Sequence, residues 1–431
     1  MNKSSYIILL FICCVVVGCI EEIPIDTTLQ ADINIEEVLV VEATITDELI
    51  QQKIILSRGS SFANDSIVNY EEGATVSVSD NLGNTFLFED GSNGEYISSE
   101  PFTAQPGNTY QLSITTVTGE QFESTTVSSA GVSIIDDIYA ERIISDNEVE
   151  GMAIFVDSSN PSGDFNNYRY TYEETYKIIA PNWTAVEFEI IRDDIEVIVD
   201  EDTGEIIETL FPDVTLVPRE QEEQICYNTV DSNDIILSDG LLLTGTTINK
   251  NMVRFINRND PILSHRYSIL VKQFLQSPDA ANFYNTLLQF SESENLFSEI
   301  QPGLIGGNIN PINNTSTTVI GYFEVASVTS RRIFFNYDDF FPGEELPPYF
   351  DGLNCSNLFA PPLENPLRDG LFTMDDCGIP RPLIDYIKAE EIEFVLSTSQ
   401  GLCEGPFFVT SRACGDCTVF GSNVVPDFWI E

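Results

Sequence analysis

Between residues 38 and 126 apolar and polar positions alternate in short bursts, separated by turn-forming residues. Val38, Leu39, Val40 and Val41 open a strand that continues through Thr44 and Ile45, and Ile54, Ile55 and Leu56 make the next. Residues 73–80 place Ala74, Val76 and Val78 on one face. Residues 109–116 do the same with Tyr110, Leu112 and Ile114, the two-residue period of a half-buried strand. Asn81–Asn84, Asn93-Gly94, Pro106-Gly107-Asn108 and Thr118-Gly119 supply turns between such stretches. Seven short strands over about 90 residues predict an immunoglobulin-like β-sandwich for residues 37–130.

The β pattern continues in longer stretches through residues 131–431, after a weakly patterned link at 128–150. Residues 151–156, 167–179, 267–271, 321–328 and 392–396 read as strands, the second with Tyr168, Tyr170 and Tyr172 on one face. Residues 195–199 and 206–210 flank an acidic turn containing Gly204 and read as a hairpin. One segment switches to the helical period. Ser277 is a good N-cap and Pro278 suits the first helical position. Ala280, Phe283, Tyr284, Leu287 and Leu288 then follow at i, i+3, i+4, i+7 and i+8, predicting a helix over 278–290 with its apolar stripe packed on the larger domain. Residues 336–382, rich in Asp, Phe, Pro and Gly, read as long loops, a feature often tied to function. The expected fold is mainly β: an immunoglobulin-like sandwich, then a larger β-rich domain with one short amphipathic helix and a cysteine-stapled C-terminal region.

The first nineteen residues carry a different signal. Lys3 precedes an apolar run over 6–17, too short for the ~20 residues of a bilayer span. The run ends in Val16-Val17-Gly18-Cys19, which resembles a bacterial lipobox: residues 1–18 are a signal peptide and Cys19 is the lipidated first residue. Its three acyl chains exceed the two signals that stable anchoring needs. Glu21 and Glu22 follow at once and resemble a surface-export signal, and residues 19–36 form an acidic tether. The expected location is the outer membrane, lipid-anchored and facing the cell surface.

Composition narrows the chemistry. The 431 residues include 69 Asp plus Glu against 19 Lys plus Arg, a formal charge of −50, so no basic footprint exists for nucleic acid. The 42% hydrophobic content is that of a folded chain, not an acidic tail. With one histidine, His265, a zinc site built on two or more histidines is excluded, and a Ser-His-Asp triad would have to use that residue. No GxSxG, GxxxxGK[ST] or helix-opening GxGxxG occurs. Asp200–Glu205 and Asn336–Asp339 resemble fragments of calcium loops without completing one, and Asp65-Ser66-Ile67 resembles an O-glycosylation acceptor. No cofactor and no enzymatic activity are expected.

Six cysteines remain after Cys13 and Cys14 leave with the signal and Cys19 is acylated: Cys226, Cys355, Cys377, Cys403, Cys414 and Cys417. An even number in an exported chain argues for disulfides, with fifteen pairings open. Cys414 and Cys417 form a CxxC, but a redox reading needs a thioredoxin-like βαβ context and a zinc reading needs a second pair at ligand spacing.

Several runs together resemble a Bacteroidota lipoprotein family, domain of unknown function 4249. They are residues 39–47, 106–114, 168–176, 301–309 (Gln-Pro-Gly-Leu-Ile-Gly-Gly-Asn-Ile) and 321–325, with the closing Cys414-Gly-Asp-Cys417 and Pro426-Asp-Phe-Trp429. The resemblance extends over nearly all of 20–431; Ala43 departs from the glycine expected there. It implies no established activity. It implies an accessory or capture lipoprotein working with a TonB-dependent β-barrel nutrient transporter, the alternative being a structural or adhesive surface protein without such a partner. Phe340 and Phe341, in the long loops, are the expected partner contacts.

Overall fold

The computed structural model describes residues 38–431, apart from 60–67, 130, 133, 161–166, 239–242, 245, 293–304, 313–316, 351, 364–380 and 399–404. Cys19, Glu21, Glu22, Cys377, Cys403 and the Asp65-Ser66-Ile67 tripeptide lie outside the described residues. No helix among those described is long and apolar enough to cross a membrane.

The seven expected strands of the first region are present: β1 (Leu39–Thr46), β2 (Lys53–Arg58), β3 (Thr75–Asp80), β4 (Thr85–Asp90), β5 (Glu95–Ser98), β6 (Tyr110–Thr115) and β7 (Gln121–Ser124). Alternation sets their faces. Val76, Val78, Tyr110, Leu112 and Ile114 are all buried in one core with Leu39, Val41, Ala43 and Ile45. The later strands are β8 (Ile134–Ile144), β9 (Glu150–Ser159), β10 (Asn167–Ile179), β11 (Val186–Arg192), β12 (Glu196–Val199), β13 (Ile206–Leu210), β14 (Asp213–Pro218), β15 (Ile225–Asp231), β16 (Thr247–Asn257) and β17 (Arg266–Gln276). Helix α1 (Pro278–Glu292) follows, then β18 (Ile309–Pro311), β19 (Val319–Asn336), α2 (Leu383–Lys388), β20 (Ile392–Ser397) and β21 (Phe407–Ser411).

β19 is the spine. Its first half runs parallel to β1, from Leu39 opposite Val319 to Thr46 opposite Ala326. Its second half runs antiparallel to β17, from Leu275 opposite Ser327 to Arg266 opposite Asn336. One hydrogen-bonded path therefore crosses the molecule in the order β15-β10-β17-β19-β1-β2-β5-β4-β3-β6-β7-β18. An immunoglobulin-like arrangement of two separate sheets is not what this order gives. The first lobe is a single curled sheet whose ends approach each other: Asn308, just before β18, donates its amide to the carbonyl of Phe323 (2.9 Å) and accepts the Phe323 N–H (2.7 Å). Ile309, Phe323 and Val325, all from beyond residue 300, complete its core.

In the second lobe the β15-β10-β17-β19 portion faces a separate sheet of β16, β9 and β8. Tyr168, Tyr170, Tyr172, Ile269 and Val271 from one meet Ile138, Met152, Ile154, Val156 and Ile256 from the other. The link read at 128–150 is thus corrected: eleven of its residues form β8. Only Ile135 and Ile138 of that strand are buried, because it pairs on one side only, with β9, and a bulge at Asp136 breaks its alternation. A third, small core joins Phe188, Ile190 and Val214 of the β11/β14 hairpin to Leu383, Ile384 and Tyr386 of α2 and to Ile392 and Val409.

Two disulfides fasten these parts. Cys226 of β15 bonds Cys417, and Cys355 bonds Cys414, so the two sulfurs of the CxxC have different partners. This is a structural staple: the motif binds β15 in the main core on one side and the 355 loop on the other. Gly415 between them is required by packing, since a Cβ there would lie 2.5 Å from that of Glu393. Replacing Cys226 and Cys417 by alanine should cost about 2–4 kcal/mol. It should cost about 1 kcal/mol more than replacing Cys355 and Cys414, because the closed loop is longer, 191 residues against 59. Denaturant midpoints measure this; equal and unchanged midpoints would mean that neither staple restrains the unfolded chain.

Candidate functional site

One open cleft on the described surface has polar side chains on its rim, of which Asp279, Asn282 and Asn310 have no hydrogen-bond partner among the described residues. It lies between α1 and residues 305–310 and has a volume of about 420 Å³. α1 forms as its sequence dictates. Ser277 Oγ accepts the N–H of Ala280 (3.2 Å), Pro278 starts the helix, and Ala280, Phe283, Tyr284 and Leu287 pack against Ile305, Ile320 and Tyr322. The helix therefore covers the outer face of β19 next to the junction of the lobes, not only the larger lobe.

The opposite wall is the Ile305-Gly306-Gly307-Asn308 part of the run at 301–309. It lies so close to β19 that a Cβ on Gly307 would sit 1.5 Å from the carbonyl oxygen of Gly321. Gly321 in turn approaches Val41, whose carbonyl oxygen would be 2.3 Å from a Cβ there. Only glycine allows this contact. Asn308 is buried with its amide fully engaged by Phe323, and its carbonyl accepts the N–H of Thr125 at 2.8 Å. The wall is thus pinned at both ends of the curled sheet.

Phe283 and Tyr322 form the cleft floor, their rings 5.6 Å apart. Burial raises the Tyr322 hydroxyl above its ordinary pKa, against a hydrogen bond with Ser277, so it stays neutral near pH 7. Asp279, Asn282 and Thr286 of α1 and Thr125 and Asn310 across from them make the rim. An aromatic floor below amides, hydroxyls and one carboxylate suits a small polar solute: C–H groups meet the rings, and polar groups meet the rim. Among the described lining residues, Asp279 and Tyr322 are the ones that titrate.

A second cleft, of about 360 Å³, surrounds His265 with Lys177, Arg266, Asn336 and Asp338. Its cations are engaged by the chain's own end. Lys177 pairs with Glu431 at 2.9 Å, and Arg266 donates to the carbonyl of Ile430. Burial and Lys177 both hold the His265 pKa below its usual value, so the ring is neutral near pH 7. No serine–histidine–carboxylate chain forms around it in the described contacts.

Phe340 and Phe341 need correction as exposed contacts. Residues 337–340 form a helical turn, not an open loop, and Phe341 is 1% exposed. Its ring stacks on Tyr337 at 4.7 Å with the Arg142 guanidinium 4.3 Å above it, while Phe340 packs edge-on against Phe335. The calcium-loop fragments are self-satisfied: Asp200 accepts the N–H groups of Asp202 and Thr203, and Asp339 caps Asn336. No group of three potential metal ligands comes together among the described residues. The rim residues Asp279, Asn282 and Asn310 carry no signal in the sequence, where they read as solvated positions. The paired glycines at 306–307 do carry one.

No curated protein matches the sequence. Residues 20–332 match a family, a span holding the first lobe, α1 and both walls of the cleft and ending within β19; the Cys414–Trp429 run lies beyond it. The chain belongs to the family described as domain of unknown function (DUF4249).

Proposed function

We propose that this protein is a surface-facing outer-membrane lipoprotein, anchored through Cys19, that captures a small polar solute for a TonB-dependent β-barrel transporter and catalyses no reaction itself. The cleft carries this reading: the Ile305–Asn308 stretch, within the family match, forms one wall, and the rim side chains Asp279, Asn282 and Asn310 have no partner among the described residues and can meet a guest. The lipobox supports the anchor, and the two disulfides fit a compartment outside the reducing cytosol.

The test is a mild-detergent pull-down of the tagged lipoprotein at native expression, with mass spectrometry of what accompanies it. A stoichiometric TonB-dependent barrel is the expected companion. A protein that emerges alone ends the transporter reading and favours an adhesive or structural role.

A further inference from the structure

β12 and β13 form an arm whose apolar residues join no core among the described residues. The base of this hairpin, β11 with β14, packs on α2 through Phe188, Ile190 and Val214. Beyond it, Ile195, Val197, Ile198, Val199, Ile206 and Ile207 are each 37–66% exposed. The β12/β13 pair is a separate two-stranded sheet, so among the described strands neither outer edge is paired and both present free backbone N–H and C=O groups. Natural proteins protect such edges unless something covers them.

The charge says what covers this one. Residues 193–208 contain eight Asp or Glu and no Lys or Arg. Lys388 pairs with Asp193, and Arg192 lies 3.9 Å from Glu196, both at the base. Around the tip, Glu201, Asp202, Glu205 and Glu208 have no described cation beside them, and Asp200 is occupied with its own turn. A second copy of the chain would bring a second acidic tip against the first, and an anionic lipid surface repels the arm for the same reason.

We propose that the arm is a docking element for another protein: it adds as a strand to an exposed sheet edge, with its aliphatic side chains in an apolar groove and its acidic tip against a rim of lysine or arginine. This goes beyond the proposed function and holds whether or not the partner is a transporter.

The experiment places a photoreactive side chain at Ile198 or Ile207 of the full-length protein in its own cells, with Leu82, 69% exposed on the first lobe, as the control position. Adducts are sequenced. One partner protein is expected from 198 and 207 and not from 82, attached at a strand bordered by lysine or arginine. V197S/V199S/I206S in the same chain leaves the charge unchanged and should lower the yield about tenfold, as loss of a central apolar anchor does. These side chains lie outside the cores, so an unchanged melting curve confirms that the variant folds. Adducts to a second copy or to lipid, a partner segment without cations, equal yields from all positions, or no adduct each overturn the proposal. A β-barrel partner would also support the transporter reading, whereas a different protein would leave that reading to the pull-down.

Discussion

A fragment ending at residue 130 should not fold, although it contains all seven strands that its sequence announces. Removing the rest strips β1 of its parallel neighbour β19 and β7 of its neighbour β18. It also removes Ile309, Phe323 and Val325 from the core. Three large side chains at about 1.5–3 kcal/mol each amount to roughly 5–9 kcal/mol, the scale of a whole domain's stability. The loss compounds, because the inner faces of β1 and β7 become exposed and their edges open to other chains. Residues 37–130 expressed alone should give unfolded or aggregated protein by circular dichroism and size exclusion, whereas residues 37–431 should give a cooperative melt. A soluble, cooperatively unfolding 37–130 fragment would show that the curled sheet stands without the spine.

The same spine explains what could be read in the sequence and what could not. Strands with strict alternation were legible: residues 167–179 form β10 as expected, with Tyr168, Tyr170 and Tyr172 pointing into the core. Helix α1 was legible from its cap and its period. β19 was visible only as residues 321–328, since Thr329, Ser330, Arg331 and Arg332 show no apolar alternation and owe their strand to β17. Its parallel pairing with β1 joins residues 280 apart, and no local pattern encodes such a partner. The hairpin at 195–210 was legible as a hairpin, but not as an exposed arm, because β-branched runs read as buried strands. Phe341 misled for the opposite reason: an acidic, proline-rich setting suggests solvent, yet Tyr337 and Arg142 enclose it, while Phe340 is half-buried against Phe335. The cleft was not legible: the run at 301–309 stood out only through the family resemblance, the need for glycine at 307 comes from its approach to Gly321, and the polar rim depends on which face of α1 turns outward.

Arg169→Met should destabilise the protein by about 3–5 kcal/mol, the cost of stranding a buried charge, and Arg169→Met combined with Glu324→Met should recover most of it. Arg169 projects from β10 to the face covered by α1, where its guanidinium lies 4.3 Å from the Phe274 ring centre and 4.7 Å from that of Tyr284. It donates to Glu324 of β19 at 3.1 Å and to Thr44 of β1 at 3.3 Å. One side chain thus ties β1, β10, β17, β19 and α1 together at the junction of the lobes. The Glu324 side chain is 2% exposed, and its other carboxylate oxygen has no hydrogen-bond partner. Methionine at 169 preserves much of the volume and the contact with both rings but leaves that carboxylate desolvated and without its cation. Removing both charges takes away the desolvation cost along with the attraction, so the double variant should lie near the wild type. Midpoints of urea denaturation for the wild type, both single variants and the double variant form the cycle that isolates the pair. If the double variant is as unstable as Arg169→Met, the cation's worth lies in its stacking between Phe274 and Tyr284 and not in neutralising Glu324. If neither single variant moves the midpoint, the junction is held by the continuous β19 ladder alone.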